Sequence, residues 1–325
     1  MKAIFVGDVH YSGSNPVGRL DSYSTAILLK LTEIGLIAHK NNIKNVIFTG
    51  DMFHTPVISL SDFVRFQEVF KTAFKGLNCY IVPGNHDIFG YNITTLRRTS
   101  LYLLSLCIDN FFIFSDTKPL FLDNIILTSQ HYCNELDVDG FGYDPDLEGV
   151  DIQDRKIIHV VHGMLLPNKP PFEKYTLIKD VKSKADIIVT GHYHPGWMST
   201  EYNGTYFINN GSICRRDASS KEIDRIVVIT IIDTDENAFT TVPLESAKPG
   251  KDVLSREHLE LTDSEKNVEE FNELIQATRL NKKFVNIGDM ITYIADKSEL
   301  DKEIVDYAIA KVEFKLEELS KKDVK

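Results

Sequence analysis

Cysteine is scarce in this chain, with four in 325 residues and none in a Cys-x-x-Cys pair. Cys79, Cys107, Cys133 and Cys214 are scattered, which leaves no disulfide framework and no thiolate zinc site to read, and fits a reducing cytosol. Basic charge is also in short supply: 36 Lys and Arg face 47 Asp and Glu, for a net charge of −11. A nonspecific duplex binder draws its affinity from phosphate neutralisation by a basic excess, so tight DNA binding by this chain alone is not expected. DNA as a substrate is not excluded, because two bound divalent cations would add about four positive charges locally. Long apolar runs are missing as well. None could span a bilayer, and the apolar start Met1–Val6 is too short for a signal peptide. The expectation is a cytoplasmic protein, in the host cytoplasm if phage-encoded, with no membrane association. No internal repeat or low-complexity tract is present.

What the chain does have is an ordinary globular composition, 43% hydrophobic and 26% charged. Its first half alternates short β-type runs with amphipathic segments. Ala3–Val6, Asn45–Thr49 and Cys79–Val82 read as strands. Between them, Ala26–His39 and Ser61–Phe74 carry apolar residues at helical spacing. This βαβαβ order predicts parallel strands with helical crossovers, whose carboxyl ends gather ligands. The second half changes to Ile125–Thr128, Ile157–Val161 and Ile187–Thr190 without long helices between. Asn203-Gly204 predicts a type I′ hairpin between Met198–Tyr202 and Thr205–Ile208, and Arg225–Ile232 predicts a further strand. The fold class is therefore α/β, a two-sheet sandwich flanked by helices, over residues 1–245. Pro249-Gly250 marks a boundary to a small, mainly helical segment, 250–325. There a capping box at Thr262–Glu265, a start at Ser298 and an apolar stripe from Val305 to Leu319 predict helices.

Five short motifs occur in order, four of them just after a predicted strand. They are Asp8-Val9-His10, Gly50-Asp51-Met52-Phe53-His54, Gly84-Asn85-His86-Asp87, His162-Gly163 and Gly191-His192-Tyr193-His194. Each alone is readable as a plain turn. Together they supply Asp, His and Asn groups of the kind a binuclear metal centre needs. The ordered set resembles the calcineurin-like metallophosphoesterase superfamily over roughly residues 1–235. With Tyr11 after the first motif and His54 ending the second, it is most similar to the SbcD/Mre11 family of DNA repair exonuclease subunits. By that resemblance Asp8, His10, Asp51 and His194 hold one ion. Asp51, Asn85, His162 and His192 hold the other, with Asp51 bridging. The resemblance makes His86 the catalytic group that faces the phosphate and does not bind metal. Asp87 is a loop-fixing residue. Two readings of His54 stand at this point, a substrate contact or a group that orients its neighbours.

The remaining candidates are plainer. His39, His131, His159 and His258 match no motif and read as structural or surface residues. Glu135–Asp154 holds eight acidic residues and no basic one, without calcium-loop glycine spacing, and reads as a solvated loop. Arg97-Arg98 and Arg215-Arg216 are the Arg pairs, readable as phosphate contacts or as surface charge. The resemblance implies Mn²⁺-dependent phosphodiester hydrolysis of DNA, a homodimer, and an SbcC/Rad50-like ATPase partner docked through the C-terminal segment. Two alternatives remain: a stand-alone metallophosphoesterase acting on nucleotides or phosphoproteins, and a non-catalytic metal-binding scaffold.

Overall fold

A computed structural model describes residues 1–115, 118–255 and 311. The chain divides into two compact units, Met1–Glu257 and His258–Lys325. The helices expected at Thr262–Glu265 and Ser298 lie outside the described residues, as does His258, and so does the stretch Val305–Leu319 apart from Lys311.

In chain order the first half contains β1 (Lys2–Val6), α1 (Tyr23–Lys40), β2 (Asn45–Phe48), α2 (Leu60–Thr72), β3 (Asn78–Ile81), α3 (Ser100–Cys107) and β4 (Phe111–Ile113). Next come β5 (Leu120–Leu122), β6 (Ile125–Gln130), β7 (Lys156–Val161), β8 (Leu165–Leu166), β9 (Thr176–Leu177) and β10 (Ile187–Thr190). The chain continues through β11 (Trp197–Tyr202), β12 (Thr205–Asn209), α4 (Ser220–Asp224), β13 (Val228–Asp233), β14 (Ala238–Pro243) and α5 (Gly250–Val253). One six-stranded sheet runs β14-β13-β1-β2-β3-β4, the other β11-β12-β10-β7-β6-β5. β1, β2 and β3 are parallel, as the βαβαβ order predicts, and β4, a strand not expected from the sequence, continues the parallel run. β13 joins β1 antiparallel.

β1 shows why these strands are continuously apolar. Ala3 and Phe5 face the second sheet, where they pack with Ile158, Val160, Ile187 and Val189. Ile4 and Val6 face α1 and α2, where they meet Ile27, Leu31, Phe66 and Phe70. A strand covered on both faces has no polar side to show. The helices follow their caps: Ser22 accepts from Thr25 N to open α1, and Ser59 accepts from Asp62 N to open α2.

The structure also corrects details. Asn203 and Gly204 both have positive φ, 51° and 82°, as a type I′ turn requires. β13 begins at Val228, three residues later than expected, because Arg225 is drawn inward by its ion pair with Glu222. Val253 and Leu254 are buried, Leu254 bridges Arg19, and Ser255 N donates to Gly18 O. The acidic stretch Glu135–Asp154 is not all solvated. Asp137 is buried and accepts from Tyr143 Oη, Thr176 Oγ1 and Met164 N, tying that loop to β8 and β9.

Candidate metal centre

All five motifs sit just beyond strand ends. β1 leads to Asp8 and His10, β2 to Asp51 and His54, β3 to Asn85 and His86, β7 to His162, and β10 to His192 and His194. Main-chain bonds knit these exits together: Val9 N and His10 N donate to Asp51 O, His54 N donates to Tyr11 O, and Ile213 N donates to Asp8 O.

Three of the proposed ligands, His10, Asp51 and His192, have positive φ of 46°, 49° and 76°. Non-glycine residues there cost of order 1–3 kcal/mol each and persist only when their surroundings over-determine them. The strain therefore falls on the ligands themselves rather than on all their glycine neighbours. Gly50 does carry positive φ, 127°, but a Cβ there would also sit 2.0 Å from His162 Nδ1. Gly84 is required by close approach alone, since a Cβ would lie 2.1 Å from Asp51 Oδ1.

Among the described residues the donor atoms gather in three groups, each within 4.8 Å: Asp8, His10 and His194; Asp51, His162 and His192; and His10, His54 and His86. In the first, His10 Nε2 lies 2.9 Å from His194 Nε2, and His194 Nε2 lies 3.5 Å from Asp8 Oδ2. In the second, His162 Nε2 lies 3.2 Å from both Asp51 Oδ2 and Asn85 Oδ1. Spacings near 3 Å are those of neighbouring ligands on one ion with bonds of about 2.1 Å. Asp51 Oδ2 also lies 3.3 Å from His10 Nε2, so this one oxygen faces both groups. Its other oxygen, Oδ1, accepts from His86 N at 2.8 Å. Oδ2 is therefore the oxygen left to face the site, while Oδ1 holds the next motif in place. His192 lies beyond the end of β10 at Thr190 and has positive φ, and His192 and His194 stand in different groups.

The hydrogen bonds also set which nitrogens are free. His162 Nδ1 donates to Thr49 O at 2.8 Å, which aims Nε2 at the site. His86 Nδ1 donates to His54 O at 2.7 Å, so its Nε2 faces the cleft. A carbonyl only accepts, so Nδ1 carries the proton in both rings. His192 N donates to both oxygens of Asp8.

Electrostatics act in both directions on these groups, and burial raises the Asp8 carboxyl above its usual range. Burial works to raise the Asp51 carboxyl, but His162 and His10 hold it well below the usual carboxylate range. Burial works to lower His162, yet Asp51 pushes it up to about 10. The metal-free chain thus keeps a proton on His162 that cation binding must release. Burial lowers His10, and it brings His192 down to about 3. Neutral imidazoles are the form that binds metal. The Nδ1 atoms of His10 and His54 are buried without a hydrogen-bond partner.

The main-chain carbonyl of His54 accepts from His86 Nδ1, and the two rings stack with centroids 4.9 Å apart. Asp87 fixes the loop as expected, being fully buried and accepting from Gly84 N and Phe53 N. His159 is structural, bonded to Thr128 Oγ1 and Gly142 O. Arg215 overturns both of its readings. It is buried, and its guanidinium donates to the carbonyls of Glu222, Lys248 and Arg225. The loop from Asn209 to Ile213 contains the Asn210-Gly211-Ser212 stretch that precedes Arg215. Asn210 Nδ2 donates to Phe5 O, Ser212 N to His194 O and Ile213 N to Asp8 O, bracing both halves of one ligand group.

A family model described as calcineurin-like phosphoesterase matches residues 1–227. The chain belongs to that family. It is a metallophosphoesterase-type phosphoester hydrolase, and clusters of His and Asp that could hold the family's divalent metals are present among the described residues. Among curated proteins none matches in sequence. Solved structures give distant likenesses. The TT1561 protein of Thermus thermophilus is 10% identical with a TM-score of 0.46, covering 75% of this chain and 99% of its own. A dimetal phosphatase from Danio rerio has the same identity, score and coverage. The calcineurin-like phosphoesterase YfkN from Bacillus subtilis is 11% identical with a TM-score of 0.40, over 75% and 88%. Among the described residues no helix is long and apolar enough to cross a membrane.

Proposed function

We propose that this metallophosphoesterase is a Mn²⁺-dependent phosphodiesterase acting on DNA, an exonuclease subunit of SbcD/Mre11 type that works with an SbcC/Rad50-like ATPase. The observation that carries the reading is the coupling of two motifs. The Gly50–His54 motif supplies both the carboxylate facing the two ligand groups and the carbonyl that aims His86. Asp8, His10, Asp51 and His194 would hold one ion, and Asp51, Asn85, His162 and His192 the other. When bound, the ions would supply the phosphate clamp and an activated hydroxide. The chain's own part is to place His86. Its Nδ1–H is fixed on His54 O, which leaves Nε2 to hold a proton beside the phosphate and pass it to the leaving oxygen.

The carboxylate, amide and imidazole ligands, with no thiolate, form a set suited to Mn²⁺. In a metal series on a phosphodiester, Mn²⁺ should give higher turnover than Mg²⁺; equal rates, or failure with Mn²⁺, would contradict the assignment. The net charge of −11 favours a second reading, a stand-alone enzyme acting on nucleotides or phosphoproteins. Comparing linear duplex DNA with cyclic nucleotides as substrates separates the two.

We assign the segment beyond residue 257 to capping the site and docking the ATPase, with a homodimer as the working unit. The cut belongs after Glu257 rather than at 250, because Val253 and Leu254 are buried in the first unit. A chain ending there should hydrolyse a small diester at the full-length rate while losing DNA degradation or ATPase association. Duplex digestion and partner binding equal to the full chain would refute the docking role.

A further inference from the structure

The His162–His192 side of the centre is walled by aromatic rings that the metal chemistry does not use. Tyr132 packs its ring 5.4 Å from that of His192 and 6.3 Å from that of His162, and is itself only 9% exposed. Tyr91 packs 5.2 Å from Tyr132 and is 49% exposed. Tyr132 is anchored by its own N–H, which donates to Pro83 O at the start of the ligand loop. Lys174 Nζ lies 5.0 Å over its ring. Tyr91 sits six residues after Asn85 with φ of 58°, a backbone conformation rarely adopted by a bulky residue. The fold therefore holds an open aromatic face one ring outward from the metal-side histidines, on a backbone that does not favour it.

Solubility gives no reason to expose that ring, and hydrolysis of a phosphodiester needs neither tyrosine. An aromatic face beside a phosphate site suits a group that carries its own flat ring next to the phosphate. Stacking is also indifferent to net charge. That matters for a chain with 11 more acidic than basic residues, which has little phosphate neutralisation to offer a polyanion.

We infer that Tyr91, backed by Tyr132, is the stacking platform for the nucleobase adjoining the scissile phosphate, so that this site selects nucleotide diesters over base-free phosphoesters. The inference rests on the phosphodiesterase reading above and adds the substrate-selecting residues to it.

The test uses the full chain and dinucleotides, whose single diester leaves no doubt about the bond cut. Each carries 2-aminopurine on one side in turn, or an abasic linker there. With Mn²⁺, replacing the base on one of the two sides should lower kcat/KM about five- to a hundredfold, the scale of one base–aromatic stack. Metal-free protein should quench 2-aminopurine fluorescence on that same side, a readout independent of turnover. Tyr91→Phe should keep both effects. Tyr91→Asn, which suits the left-handed backbone, should lose the quench and make the two substrates equal while circular dichroism stays unchanged. Equal efficiencies with and without the base in the natural protein, or discrimination retained in Tyr91→Asn, would overturn the platform. If bis-p-nitrophenyl phosphate is hydrolysed but no dinucleotide or DNA strand is, the DNA reading has failed and takes the platform with it. If base-bearing and abasic substrates are cut alike, the platform alone has failed.

Discussion

Asp51→Asn should abolish hydrolysis and strip the protein of metal. The two oxygens of Asp51 have different duties: Oδ1 accepts from His86 N at 2.8 Å, and Oδ2 lies 3.2–3.3 Å from His162 Nε2 and His10 Nε2. An amide can fill only one of these roles. With its oxygen toward His86 N, it turns an NH₂ group toward both ligand groups, and NH₂ cannot bind a cation. With its oxygen toward the histidines, it sets NH₂ against the His86 N–H, donor against donor, and the Asn85–His86 loop must shift. The charge that holds His162 near 10 disappears as well. A two-ion clamp contributes several kcal/mol of transition-state stabilisation, so the loss in turnover should be on the order of 10³-fold or more. Metal content by atomic spectroscopy should fall with it. A variant that keeps two bound ions and near-natural turnover would sink the bridging assignment.

His86→Asn should behave differently, with catalysis falling while metal binding persists. The bond from position 86 to Asp51 comes from the backbone N–H and survives a side-chain change. The ligand atoms of Asn85, His162 and His192 are likewise untouched. What goes is the imidazole, aimed by His54 O and stacked on the His54 ring. General acid and electrostatic groups contribute roughly 10²–10⁴ in rate, and kcat should drop by that factor. Calorimetric titration with Mn²⁺ should still report two sites. If a site is lost, His86 is a ligand and its assignment as the proton donor is wrong.

The two substitutions differ because they act on atoms whose surroundings the fold sets separately, and here sequence and structure made different contributions. The split of the ligands between two ions came only from the family resemblance, whereas the chain order of the motifs and the parallel strands β1, β2 and β3 were legible beforehand. Those features depend on strand periodicity and on which side chains can hold a cation, both local properties. The hairpin at Asn203-Gly204 was legible for the same reason, since two residues tolerant of positive φ define that turn. Residues 85–107, with their helical turns, were not read as such, because short polar and aromatic stretches carry no clear period.

Arg215 and Asp137 show the limit. Both are charged and sit in polar-looking stretches, and both are buried because backbone groups distant in sequence surround them with partners: Lys248 O lies 33 residues from Arg215, and Thr176 Oγ1 lies 39 from Asp137. Nothing local announces such a partner. By itself the sequence determined which residues could bind metal and at which strand ends they stand. Only the tertiary structure decided that His10, Asp51 and His192 adopt left-handed backbone and that one oxygen of Asp51 faces both ligand groups. It also placed Tyr91 and Tyr132 on the wall beside them. Backbone strain, desolvation and ring contacts are set by elements brought together from across the chain, so they enter only when the two sheets close on one another.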